Sequence, residues 1–531
     1  MQRFATHVML SSGLKRAFLA LLAGALAALA LPPFSLLFLP FVSFTILVLL
    51  IDGATADPDS NFVARLFPAF RIGFLFGFGY FLVGLWWLAN ALLVEADEFA
   101  WAIPLAVIGL PALLALYYGL AAMLARMVWS DGVFRILALA ASFGLAEYLR
   151  GVLFTGFPWN AIGQAAAPFP VLMQSVSVVG SLSLNVLAVF VFASPALLAG
   201  GRLARSGLAL SVLLVVAHTG FGLFEIRPWT PSPMPGTGRI VRLVQADIDQ
   251  AAKIDDAKRM EIFEEHLALT RAPAANGGKR PDIIIWPETS IPFILTRNPD
   301  ALSRIAEVLD DGQILVAGAV RIESDANGQE PRYYNSIYMI DSQGQIIGAA
   351  DKVHLVPFGE FLPFEQFFAD LDIVPVASLP GGYSAAVNRQ MLTLPDGTTL
   401  MPMICYEIVF QDEARNAATL ADAIVNVTND GWFGNTPGPY QHFLQARLRA
   451  VETGLPVIRN SNSGISAVID PHGSVVEGLK FQVKGYVDGE IPQKSVPISN
   501  DYVKFLTFGL METLLFAIAI FSRVSFVMDL N

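Results

Sequence analysis

A single cysteine, Cys405, in 531 residues and charged side chains at only 15% set the first limits on this chain. One thiol closes no intramolecular disulfide and builds neither a zinc nor an iron–sulfur site, so it is either an inert buried group or a reactive one. No metal and no cofactor are expected. Positive charge is also short: 34 Lys and Arg stand against 45 Asp and Glu, for a net charge of -11 and a pI of about 5.1. That leaves no basic patch for nucleic acid. The chain is instead 54% hydrophobic with a mean hydropathy of +0.55, too apolar for an ordinary soluble protein. Much of it is expected in lipid.

Seven apolar runs, at about 15–31, 35–51, 69–92, 101–126, 134–148, 169–199 and 206–224, are read as membrane crossings, and an eighth follows at about 505–521. A crossing helix needs about 20 residues. The first run could pass for a signal peptide because Lys15 and Arg16 precede it, but another apolar run follows at once, so it reads as a retained helix. The run at 134–148 is short, and that at 169–199 is long enough to tilt, break or fold back. With the N-terminus inside, Arg3, Lys15, Arg16, Arg65, Arg71, Arg126, Arg135, Arg202 and Arg205 all fall on the cytoplasmic side. Both termini are then cytoplasmic and residues 225–503 periplasmic. Glu147 and Arg150 lie three apart, a spacing that lets them pair on a helix. They read either as interfacial anchors or as a grip on a lipid headgroup.

From 238 to 497 the composition becomes that of a soluble α/β domain. "RIVRLVQADI", "PDIIIWPETS", "QILVAGAV", "NSIYMID", "LMPMICYE" and "ADAIVNVTND" read as strands, with a helical stretch from Asp255 to Thr270. Chemistry in layered α/β folds collects where strands end. Glu288 follows strand 283–286, Lys352 follows 345–350, and Cys405 ends 400–404. Taken singly, the first two read as solvated surface groups and the cysteine as core.

Their contexts, "WPETSIP", "DKVHLVPFGEFLPF" and "ICYE", resemble the nitrilase superfamily, which implies a Glu–Lys–Cys triad on a four-layer α/β/β/α sandwich. "NVTNDGWFG" and "YQHFLQARLRAVETGLPVIRNSNSGISAVIDPHG" add to the match. With membrane helices on both sides, the whole chain resembles the apolipoprotein N-acyltransferases of bacterial inner membranes. It departs at "VQADIDQAAKID", which replaces the more usual Gln-Gly-Asn and a later Trp.

The resemblance implies Cys405 as nucleophile, Glu288 as base and Lys352 beside the developing oxyanion, with Glu360, Tyr406 and Glu407 in support. It also implies a phospholipid acyl donor such as phosphatidylethanolamine, a diacylglyceryl apolipoprotein as acceptor, and a monomer. Arg150, Phe358, Phe364 and Trp432 are candidate substrate contacts. Phe358 also reads as core. Phe364, Phe367 and Phe368 carry spacings that would share a helix face, so residues 357–376 are expected to form a lid on the outer leaflet. Two other functions compete: a membrane-tethered amidase hydrolysing a small amide, and a transporter or scaffold carrying an inactive nitrilase-like domain. The number of apolar runs argues against the first, and the intact triad against the second.

Overall fold

The computed structural model describes residues 2–57, 59–227, 234–323, 331–363, 375–376 and 382–528. The chain forms two compact units: Met1–Ala89, Trp101–Pro231 and Ile498–Asn531 make one, and Asn90–Ala100 and Ser232–Pro497 the other.

The first unit is helical. Among the described residues five helices are long and apolar enough to cross a bilayer: Phe62–Leu93, Ala96–Met127, Val176–Ala199, Ala204–Ile226 and Asp501–Ser525. A sixth is added if Gln2–Met9 and Gly13–Ala28, bent by 117°, count as one span. The eight expected crossings are not all matched on this measure, for two physical reasons. Leu39–Asp52 has 14 residues, which at 1.5 Å each cover about 21 Å of a core about 30 Å thick. Val133–Val152 is long enough at 20 residues but carries Arg135, Glu147 and Arg150. The long run at 169–199 does break: Gly180 has a φ of 76° inside the helix Val176–Ala193, and the chain tightens to a 3-10 turn at Ser194–Ala199. Gly24 shows how closely these helices approach, since a Cβ there would lie 1.8 Å from the Phe76 carbonyl oxygen. Small residues at helix contacts serve this purpose in membranes.

Glu147 and Arg150 do pair. Both are buried, at 3% and 1% exposure. Arg150 also donates to the carbonyls of Phe157 and, at 2.9 Å, Trp159, while Tyr118 donates to Glu147. The guanidinium lies 5.2 Å from the centre of the Phe81 ring. The terminal nitrogens of Arg150 are thus taken up within its own unit, while its Nε has no hydrogen-bond partner among the described residues.

Among the described residues the second unit holds twelve strands in two six-stranded sheets. The first sheet comprises β1 (Gly236–Gln245), β2 (Ile283–Ile285), β3 (Ile314–Glu323), β4 (Arg332–Asp341), β5 (Ile346–Asp351) and β12 (Gly485–Pro492). The second comprises β6 (Leu392–Thr393), β7 (Thr399–Ile404), β8 (Ala423–Asn429), β9 (Val457–Asn462), β10 (Ser466–Ile469) and β11 (Val475–Leu479). The central ladders are parallel: β1–β2–β3 in one sheet and β7–β8–β9 in the other. Strands covered on both faces read as continuous apolar runs, which is why "III" and "AIVNV" do not alternate. One apolar cluster takes Val241, Ile285, Val316 and Ile337 from the first sheet and Leu400, Val425 and Ile458 from the second. A second cluster joins the other face of the first sheet to Phe263 and Leu267 of the helix Arg259–Arg271 and Ile305 of the helix Pro299–Val308.

Candidate active site

Strands running in one direction end at one edge of their sheet, and four chain segments leave strand ends with a reactive or charged group. Glu288 follows β2, Lys352 follows β5, Cys405 follows β7 and Asp430 follows β8. The three residues expected as a triad are brought together. Lys352, 1% exposed, places its Nζ 2.9 Å from Glu360 Oε2, 3.0 Å from Glu360 Oε1 and 3.6 Å from Glu288 Oε1. Burial opposes the ammonium charge, but the Glu360 and Glu288 carboxylates outweigh it and hold the Lys352 pKa above its ordinary value. Lys352 is therefore a permanent cation at the site.

Cys405 is buried, and burial together with the Glu288 charge pushes its thiol pKa up, against a smaller lowering by Lys352 and a hydrogen bond from Thr428. The resting group is a thiol, and a base must take its proton before it attacks. Glu288 is buried too, and its Oε1 accepts 2.8 Å from Asn335 Nδ2. The same Asn335 amide reaches Glu360 Oε1 at 2.8 Å, so one side chain spaces the two carboxylates.

The backbone at Cys405 is strained. Its φ is +52°, left-handed for a residue with a Cβ, at a cost on the order of 1–3 kcal/mol that neighbouring contacts must offset. Two contacts flank it. His442 Nε2 sits 3.1 Å from the Cys405 carbonyl oxygen. His442 is held in turn by Asp430, with Nδ1 2.8 Å from Oδ1, and Arg459 lies 2.7 Å from Asp430 Oδ2. Burial favours a neutral Asp430, but Arg459 and His442 hold its pKa down to about 2.

On the other side Glu407, fully buried, accepts from the Ile404 amide at 2.6 Å and from the amides of Val353 and His354 at 2.8 and 3.1 Å. Arg389 pairs with it at 2.8 Å. Of the two supporting glutamates, Glu360 therefore touches Lys352 directly, whereas Glu407 fastens the backbone on either side of the nucleophile and the lysine.

The other expected residues separate. Tyr406 is buried and packs edge-on against Phe410 at 4.9 Å. Trp432 is partly buried in the turn Asp430–Phe433. Phe358 is not core: it is 50% exposed, because its φ of +62° and the Phe358 N–H to Phe361 carbonyl bond at 2.7 Å turn the ring outward. Phe364, Phe367 and Phe368, and with them most of the expected lid, lie outside the described residues. Asn335, Arg389, Asp430, His442 and Arg459 were not singled out from the sequence. Asp430 and His442 did stand in "NDGWFG" and "YQH", where a buried acid and an imidazole near a strand end were the available signal.

Residues 240–497 match the family model for carbon-nitrogen hydrolases, and residues 23–194 that for the apolipoprotein N-acyltransferase N-terminal domain. Over its full length the chain is similar to the apolipoprotein N-acyltransferase of Rhizobium rhizogenes strain K84, at 57% identity over 100% of both chains. The enzyme of that name from Sinorhizobium fredii strain NGR234 is 58% identical over 98% of each chain.

Proposed function

The chain belongs to the apolipoprotein N-acyltransferase family, and we propose that it works by two half-reactions through a thioester on Cys405. It is a membrane acyltransferase of lipoprotein maturation, taking its acyl group from a membrane lipid. In the first half Glu288 takes the Sγ proton as sulfur attacks an ester carbonyl of a phospholipid. The tetrahedral oxyanion forms beside the Lys352 ammonium. Its collapse breaks the carbon–oxygen bond, and Glu288 returns the proton to the departing lysophospholipid. In the second half the α-amine of the diacylglyceryl-cysteine attacks the thioester, Glu288 accepts its proton, and the thiol leaves reprotonated.

The observation that carries this reading is the Lys352 ammonium fixed within 3.6 Å of both Glu288 and Glu360, with Glu288, Lys352 and Cys405 each following a strand end. A fixed donor at a developing oxyanion in a water-poor site is worth roughly 2.7–4 kcal/mol. The finer assignment comprises phosphatidylethanolamine as donor, a monomer, and eight crossings, with Leu39–Asp52 the short one and Val133–Val152 the polar one. Both termini are then cytoplasmic and the catalytic domain, 238–497, is a periplasmic α/β/β/α sandwich between a membrane domain of residues 1–224 and a last helix at 505–521. The apolar cluster shared by the two sheets supports the layering, and the basic loops support the orientation.

The test is mass spectrometry of the protein purified from membranes: a fatty acyl adduct on Cys405 is expected, lost on treatment with hydroxylamine and absent from Cys405→Ala. Transfer by the alanine variant would refute the thioester. For the orientation, a reporter active only in the periplasm is expected to be active after Glu225 and silent after Arg202; the reverse pattern would overturn it.

A further inference from the structure

Four cations contact residues of the candidate site or their immediate neighbours, and three are matched by carboxylates. Lys352 pairs with Glu360, Arg389 with Glu407 and Glu413, and Arg459 with Asp430. The fourth, Lys253, is on the short helix Gln250–Ile254, inside the segment that departs from the family pattern. Its Nζ donates to the Glu288 carbonyl oxygen and to Thr289 Oγ1, both at 3.2 Å and both neutral. No carboxylate pairs with it among the described residues. An ammonium has three N–H groups, so this geometry leaves one for another acceptor. It also puts a positive charge within one side chain's length of the base.

We propose that Lys253 is the contact for the phosphodiester of the acyl donor. The inference rests on the phospholipid-donor reading above and deepens it. A phospholipid attacked at its ester carries one obligatory anion, the phosphodiester, a few bonds away across the glycerol. The triad offers that anion nothing: Lys352 is held by Glu360 and turned to the oxyanion, and Glu288 and Glu360 repel it. Lys253 is the cation at the site with charge to spare, and it is held by the backbone of the residue that activates the thiol. Burial lowers its pKa to about 8 even though Glu288 works the other way, the response of a cation that still lacks a partner. A phosphate oxygen accepting from Lys253 would supply one, through a charge-assisted bond. The acceptor amine brings no phosphate, so the contact belongs to the first half-reaction alone.

The experiment uses the full-length protein in detergent micelles and measures the rate of acyl-Cys405 formation from two donors. One is dipalmitoyl phosphatidylethanolamine, and the other is 4-nitrophenyl palmitate, which has no phosphate. Lys253→Gln keeps a donor for Glu288 and Thr289 but removes the charge. The ratio of the phospholipid rate to the nitrophenyl-ester rate is expected to fall at least tenfold in Lys253→Gln, with KM for phospholipid rising, and to recover in Lys253→Arg. An equal loss with both donors would make Lys253 a support for Glu288 and overturn the proposal, as would an unmoved ratio. Wild-type protein that accepts palmitate from the nitrophenyl ester but none from phospholipid would break the donor reading instead.

Discussion

Two buried cation–glutamate sets lie in different units of this chain, and only the second acts on a thiol. In the helical unit Arg150 spends its terminal nitrogens on Glu147 and on the Phe157 and Trp159 carbonyls, and Tyr118 takes the other Glu147 oxygen. In the α/β unit Lys352 is gripped as tightly by Glu360, but Glu288 keeps an oxygen 3.6 Å away and acts on a thiol in a strained turn. Burial of an ion pair is common to both, so burial does not mark function. What differs is the remainder: the first set has no nucleophile beside it, and the second leaves a carboxylate and a thiol next to a cation that is fixed in place. A buried pair contributes little or nothing over apolar packing, yet losing one member is costly.

The comparison can be broken by three measurements. The largest effect is expected for Lys352→Met, which should slow acyl-Cys405 formation by about 10²–10³, the cost of one oxyanion donor. A loss under tenfold, read by mass spectrometry on folded protein, would place the stabilising charge elsewhere. Next is the thiol itself. Burial and Glu288 raise its pKa, so between pH 7 and pH 9 the thiolate fraction lies on the rising side of its titration. Iodoacetamide labelling of Cys405 should then climb by about tenfold per pH unit, whereas a plateau near the free-thiol pKa of about 8.5 would show an unperturbed group. The smallest effect on rate is expected for Arg150→Met. It strands Glu147 and should lower stability by on the order of 3–5 kcal/mol, seen as a fall in Tm, while transfer per folded molecule barely changes. A selective rise in KM for phospholipid at unchanged Tm would make Arg150 a substrate contact.

These outcomes bear on what the residues alone disclosed. Two strand ends were legible because the parallel strands β2 and β7 are apolar throughout and Glu288 and Cys405 are the first reactive residues after them, whereas Lys352 follows Asp351 on the antiparallel strand β5 and stood out only by its motif. Partners drawn from elsewhere in the chain were not. Asn335 sits inside β4 and reads as one polar residue in an apolar run; only the fold shows it between Glu288 and Glu360. His442 is 37 residues from the carbonyl it holds. Phe358 failed for a local reason, since composition sees a phenylalanine and not the left-handed turn that exposes it. The crossings were least legible where length and charge conflict: Val133–Val152 has the length of a span but carries Arg135, Glu147 and Arg150, and it buries the last two within its own unit.

Glu407 has a mechanical consequence. Its two carboxylate oxygens accept from the chain leaving β5 in one sheet and from the last residue of β7 in the other. If the sheets slide or breathe against each other, the loop bearing Lys352 and the turn bearing Cys405 are carried in the same direction by a shared rivet. Their separation is thereby insulated from motions of the scaffold that supports them, and the tolerance of the reaction to thermal movement is set by one side chain rather than by the stiffness of two sheets.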